Sequence, residues 1–511
     1  MSPRALGSVS EPSLPRPHGP GCGEASSARA ASRRDGPRQR LVSVVLPWHG
    51  APPPLTALRA LAGRRNPFLR HAAGGPRDLA RWSFAGADPV EVLAVGGTRR
   101  GLDADPWRAL ARRVPRPVRR VGARIPFAGG WFGTFGYELR AAVERVPPPR
   151  APADGFRALW LGRYDAVVAW DRHARRAYVA GTGPTLAAAR ATARRLRDLV
   201  AAGSRAEPTP ARPAPAAAAA APRVRPTVPA SAYRRRVAAV RARIRAGDLF
   251  QANLSQRFEG PLVGTTLALF ERLAARSPVP FLSYVDVGGG RAVLSASPER
   301  FVSLVGDRAE TRPMKGTRPR GADAAADRRL RDDLAKSEKD RAELAMIVDL
   351  ARNDLGRSCA PGTVRVVRPR RLERYATVHQ AVGVVEGRLA PGRTGIDLVR
   401  EAFPPGSVTG APKVEAMKRI DALEAQARGP YCGAVGWIDE GGDLDLAVAI
   451  RTLTVAGGRV AYRVGGGVTL LSDPEAERVE TLDKGRALAR AVEGDGAGPG
   501  APAAGRRRRR A

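Results

Sequence analysis

Only three cysteines, Cys22, Cys359 and Cys432, are spread along the 511 residues. At those separations they share no metal-ligand spacing and suggest no disulfide framework. Five histidines without an HExxH pattern give no zinc signal either. No run of about 18 apolar residues occurs, and no hydrophobic segment of signal-peptide type follows the basic N-terminus, so a cytoplasmic protein with no membrane association is expected. Acidic residues are outnumbered, 49 against 86 Lys and Arg, for a formal net charge of +37. Such a balance resembles that of nucleic-acid-binding chains. Yet the excess lies largely in Arg/Ala/Pro-rich segments, and no helix-turn-helix, finger or aromatic-sheet signature accompanies it. Specific nucleic-acid recognition is therefore not expected, only non-specific attraction to polyanions at low salt.

Lysine is the scarcity that carries chemistry. It occurs only at 315, 336, 339, 413, 418 and 484 in a chain whose other basic residues are arginine. Arginine keeps its proton near neutral pH, whereas a desolvated lysine can lose one and act as a nitrogen nucleophile.

What is present divides the chain into regions. Residues 1–40 are Pro-, Gly-, Ser- and Arg-rich without apolar periodicity and read as a disordered basic tail. A first folded region spans 41–203, opening on the strand-like 41–46 and closing on a helix over 185–201. An Ala/Pro/Arg linker with six consecutive alanines covers 204–227. The second region, 228–490, opens on a helix over 231–246, and 491–511 is expected to be a disordered Arg-rich tail.

The densest motif runs from Ser297 to Arg318, where two β-prone segments place Glu299 near Lys315. Spacing alone leaves a surface salt bridge open as the alternative. In the strand that follows Gly247-Asp248, alternation sends Gln251, Asn253 and Ser255 to one face, toward either a cavity or solvent. A helix over 332–353 carries Asp340 and Glu343 on a shared face. A second helix, introduced by Ser472-Asp473-Pro474-Glu475 with a capping box between Ser472 and Glu475, presents Glu477, Glu480 and Lys484. Two carboxylates from separate helices, completed by substrate oxygens and water, are a common way to hold Mg²⁺; a merely solvated acidic face is the other reading. The strands 431–437 and 446–452 follow, the latter ending on Arg451, which suits a carboxylate. Gly465-Gly466-Gly467 reads as an anion nest.

In order and spacing, GDLFQANLSQRF (247–258), SPERF (297–301), MKGTR (314–318), AELAMIVDLARNDLG (342–356), FPPGSVTGAPK (403–413), YCGAVGW (431–437), AIRT (449–452), GGG (465–467) and EAERVETLDK (475–484) resemble the chorismate-utilising enzymes, the family of anthranilate, aminodeoxychorismate, isochorismate and salicylate synthases. The resemblance implies an α+β fold, two antiparallel β-sheets packed face to face with helices outside and the N-terminal region wrapping the same core. It implies Mg²⁺ on Glu343 and Glu480, with Glu477 and Asp340 as further candidates. It assigns one substrate carboxylate to Tyr431, Arg451 and the backbone near Gly466 and Gly467, and places Gln251, Gly316, Thr317, His379 and Lys484 around the site. Aminodeoxychorismate synthases resemble this chain in carrying Lys at position 315, where anthranilate and isochorismate synthases usually carry Ala. That implies Lys315 as nucleophile, Glu299 as general acid, chorismate and ammonia as substrates, and a separate glutamine amidotransferase subunit, serving p-aminobenzoate and folate synthesis. Anthranilate synthase component I and a non-catalytic polyanion-binding protein are the alternatives. The family's Leu-Leu-Glu-Ser motif stands here as Leu69-Arg70-His71-Ala72, which argues against tryptophan binding.

Overall fold

Alternating apolar strands from both halves of the chain build two sheets. The computed structural model describes residues 41–98, 101–116, 118–147, 153–205, 223–424 and 426–494. The expected tails at 1–40 and beyond 494, and the alanine run of the linker, lie outside these residues. The larger, 13-stranded sheet is antiparallel except where Leu41–Pro47 pairs Val118–Gly122. Its centre joins the two regions directly, because Phe68–His71 pairs Phe281–Gly288. The 10-stranded sheet does the same where Gly130–Phe135 pairs Ala434–Asp439. The stretch between 203 and 228 therefore separates two segments of sequence that share their sheets.

The sheets pack face to face through large apolar side chains. Phe68 and Phe84 of the larger sheet meet Phe132 and Trp437 of the smaller around Phe127, with the Phe68 and Phe132 rings stacked at 4.2 Å. Each such ring buries on the order of 150–250 Å², which makes this layer the main apolar contribution to the sandwich. Arg70 spans the same layer: it donates to Asp445 at 3.1 Å and to the Trp82 carbonyl at 2.7 Å. Burial lowers its pKa to about 10 despite Asp445. Arg70, one of the three residues that depart from the motif, is thus spent on joining the sheets. Helices cover the outer faces, Leu186–Arg205 and Pro474–Glu493 on the larger sheet and Glu338–Gly356 and Gly395–Ala402 on the smaller. No described helix is long and apolar enough to cross a membrane.

Several local expectations need correction. The helix expected over 332–353 is two, Ala324–Lys336 and Glu338–Gly356. Ser337 breaks it by turning extended and accepting from the Asp340 N–H, as a capping serine does. The capping box at Ser472 does not form: Asp473 caps the helix, and the Ser472 hydroxyl donates to Glu477 Oε1 at 2.6 Å. That helix continues to Glu493, past the expected boundary at 490. The strand expected over 446–452 is also divided. Leu444–Val448 belongs to the smaller sheet and Thr452–Ala456 to the larger, with Arg451 at φ +51° between them.

Candidate active site

Two sheet-to-sheet crossovers create the site. Arg291–Ser297 lies in the larger sheet and Arg300–Val305 in the smaller, so Glu299 sits where the chain passes between them. Arg451 occupies the matching return. The crossovers are bonded to each other, the Val448 N–H to the Glu299 carbonyl and the Ala296 N–H to the Arg451 carbonyl, both at 3.0 Å. Leaving the ladder frees side chains that a continuous strand would have aimed at the two faces. Arg451 holds a backbone conformation that few non-glycine residues adopt, a local cost borne at the site.

Beside them lies a cavity of about 150 Å³ lined by Glu299, Lys315, Gly316, Thr317, Tyr431, Arg451, Gly465 and Lys484, together with Asn253, Gln380, Ser407 and Arg463. Gln251 belongs to the same wall: both its amide atoms are buried without a partner, and a Cβ at Gly467 would overlap them while standing 3.1 Å from Lys315 Nζ. The polar row Gln251, Asn253 and Ser255 is buried, which decides for the interior over solvent.

Glycines admit the charged groups. A Cβ on Gly466 would lie 2.9 Å from Glu477 Oε2 and 3.4 Å from Glu480 Oε1. Gly316, at φ +82°, is pressed against Asp340. Gly465–Gly467 form part of the strand Arg459–Val468 and not an anion nest, paired on one side with Gln251–Pro261. On the other side the pairing with Thr452–Ala456 ends at Tyr462, so the glycines' second edge has no strand partner.

The electrostatics of the paired groups are opposed. Burial raises the Glu299 pKa to about 7, against the hydroxyl of Ser407, the Lys315 ammonium, the Met314 N–H and Arg451. Burial and Lys484 lower that of Lys315, against Glu343, Glu299 and Glu480. A carboxyl held toward its acid form beside an amine held toward its free base is an arrangement for acid and nucleophile rather than for a salt bridge. The pKa of Arg451 is lowered by burial, with Tyr375 and Glu299 opposing.

The acidic helices meet at one end of the cavity. Glu343 is raised by burial and by Asp340 and Glu480, while the lysines oppose. Glu480 pairs with Lys484 at 2.5 Å. Glu477 keeps one buried oxygen, Oε2, without a partner. That orphaned oxygen lies beside two further carboxylates, each paired with a lysine, Glu480 with Lys484 and Glu343 with Lys339 at 3.9 Å, and carboxylate oxygens of this kind suit a hard divalent cation. Among the described residues no group of three or more acidic, His or Cys side chains is placed to hold a metal ion, so a cation here would need substrate oxygens and water to complete its shell. Asp340 belongs elsewhere, paired with Arg318 at 3.1 Å.

His379 is absent from the cavity. Its Nε2 meets Asp327 at 2.9 Å, and by strand alternation the next residue, Gln380, faces the site, where it receives the Thr317 hydroxyl and donates to the Gly316 carbonyl, both at 2.9 Å. Sequence reading also missed Ser407 and the buried Glu424, for which only the turn-rich 402–413 loop gave any signal. Glu424 accepts from Arg428 at 2.7 Å and from the Ser255 N–H at 2.8 Å, and Arg463 lies 3.4 Å away. Burial alone would raise its pKa, but these groups hold it lowered. Because Arg428 also donates to the carbonyls of Asn253 and Val408, this cluster fixes the cavity floor. Glu424→Ala strands two buried guanidinium groups and is expected to lower stability by about 3–5 kcal/mol in chemical denaturation.

Residues 68–490 match the family described as chorismate binding enzyme. The chain belongs to that family. It is 38% identical to anthranilate synthase component 1 of Streptomyces coelicolor, over 92% of this chain and 94% of that one. It is also 38% identical to aminodeoxychorismate synthase component 1 of Salmonella typhimurium, over 82% and 91%. The fold matches the crystal structure of anthranilate synthase component I from Streptococcus pneumoniae with a TM-score of 0.69 and 28% identity, over 81% and 92% of the two chains. The chain is thus a chorismate-utilising enzyme, and equal identity to two activities leaves the branch to the chemistry of the cavity.

Proposed function

We propose that the chain is aminodeoxychorismate synthase component I, converting chorismate and ammonia to 4-amino-4-deoxychorismate. The observation that carries this reading is the amine of Lys315, set in the cavity with Glu299 and shifted toward its neutral form. Arg451, Tyr431 and the free edge of the glycine strand receive the enolpyruvyl carboxylate. Lys315 Nζ attacks C2 of the ring, the C1=C2 pair moves to C1=C6 and the C5=C6 pair to C4=C5, and the 4-hydroxyl leaves as water with the proton of Glu299. Ammonia then bonds to C4, the C2–Nζ pair returns to Lys315 as the free amine, and the Glu299 carboxylate takes the proton shed by the new amine. Acid and nucleophile are regenerated, and the sum is chorismate plus ammonia to product plus water.

Glu343, Glu480 and the free oxygen of Glu477 would hold Mg²⁺, whose charge would neutralise the ring carboxylate and fix its orientation. Activity is expected to vanish in excess chelator and to return with Mg²⁺; full turnover in chelator would remove the metal from this reading. Ammonia is expected to be supplied by a glutamine amidotransferase subunit, with free ammonium sufficient in its absence.

Product identification tests the reading. With chorismate, Mg²⁺ and ammonium, mass spectrometry should find 4-amino-4-deoxychorismate with its enolpyruvyl group intact. Fluorescent anthranilate and released pyruvate would instead establish the anthranilate synthase reading, for which the similarity to the Streptomyces coelicolor protein speaks.

A further inference from the structure

A second, much smaller cavity adjoins the first. Its volume is about 20 Å³, and Glu299 and Ser407 line both. Its remaining wall is largely apolar, with Ile347, Ala351 and Leu355 from the Glu338–Gly356 helix facing the smaller sheet; its other charged residues are Asp354 of that helix and Arg300, whose guanidinium is already paired with Asp445 and Glu310. One oxygen of Asp354 accepts from Lys413 at 2.6 Å, and the Ser407 hydroxyl is buried beside the Glu299 carboxyl, with lone pairs left to accept.

Space of this size admits one molecule as large as water and excludes anything with another heavy atom. We propose that the cavity is the ammonia site of the enzyme, holding the nucleophile beside Glu299 until the ring is ready for attack. Three groups suit it. Asp354, its charge already balanced by Lys413, and Ser407 accept from the N–H donors of ammonia. Glu299 stands where the two cavities meet, so the residue that releases the hydroxyl borders the incoming nitrogen. The apolar wall limits the water that can compete with ammonia for the same carbon.

The inference rests on the amination reading but not on which aminated product forms, because both candidate reactions consume ammonia. Two variants test it in the full chain with chorismate, Mg²⁺ and ammonium chloride. Ala351→Val narrows the cavity, and the KM for ammonium should rise at least about tenfold while the KM for chorismate stays within about twofold. Ile347→Ala widens it, and methylamine, which the wild type should refuse, should become a co-substrate, giving a product heavier by one CH₂ in mass spectrometry. The second variant reads a gain, so poor folding of the first cannot hide the result. An ammonium KM like that of the wild type in Ala351→Val, together with refusal of methylamine by Ile347→Ala, overturns the proposal and leaves the cavity a place for structural water. A wild type that turns chorismate into isochorismate overturns it too, since water is then the nucleophile. A wild type that makes anthranilate with both variant effects present refutes only the proposed product.

Discussion

Lys315→Ala is expected to form no 4-amino-4-deoxychorismate, with turnover reduced by on the order of 10³-fold or more. An ammonium with the ordinary pKa of ~10.4 is neutral in only about one molecule in 2,500 at pH 7. At Lys315 burial and the Lys484 ammonium push toward the neutral form, and three carboxylates push back. A cation held by Glu343 and Glu480, as proposed, would neutralise two of the three and favour the free amine further. Lys315→Arg should not rescue the loss, because a guanidinium keeps its charge and offers no lone pair. Chorismate binding should survive in both variants, since Arg451 and Tyr431 are untouched, and equilibrium dialysis can check it. Undiminished aminodeoxychorismate production by the alanine variant would end the case for a covalent step.

The site was more legible in the sequence than the topology that makes it. Glu299, Lys315 and Arg451 stood out because unusual residues, a rare lysine among arginines and charges in β-prone segments, signal positions that packing alone does not explain. The acidic helices could be read from helical spacing, since i and i+3 share a face in any helix. Strand segments were found by alternation, but alternation says nothing about which sheet a strand joins. The passage of the chain between sheets at Pro298-Glu299 and at Ile450-Arg451 therefore had no sequence signal, although it is what brings the acid and the guanidinium together. His379 and Gln380 show the same limit at a finer scale, where a shift of one residue along a strand moves a side chain to the opposite face. Gly465–Gly467 misled for a related reason. Three glycines suggest a turn when read locally, yet here they are strand residues kept bare by the acidic helix and by Gln251 lying across them.

Glu299→Gln is expected to lower kcat by about 10²–10⁴-fold and to abolish the alkaline limb of the pH profile. The sign follows from which form works. Glu299 donates when protonated, and with its pKa raised to about 7 the acid form dominates below that pH and is lost above it. The wild-type kcat/KM for chorismate should therefore fall as pH rises through about 7. Lys315 requires the opposite, gaining free amine with rising pH, so the profile should be bell-shaped with apparent values that belong to the pair rather than to either residue. Chorismate brings two carboxylates into the cavity, and like charge nearby raises a carboxyl pKa further. The alkaline limb of kcat should consequently lie at higher pH than that of kcat/KM, a separation that a group acting only through the fold would not produce. In the glutamine variant the acidic limb, set by the amine, should remain while the alkaline limb disappears. A wild-type profile flat from about pH 6 to 9, or an alkaline limb that persists in the variant, would assign the proton to another group.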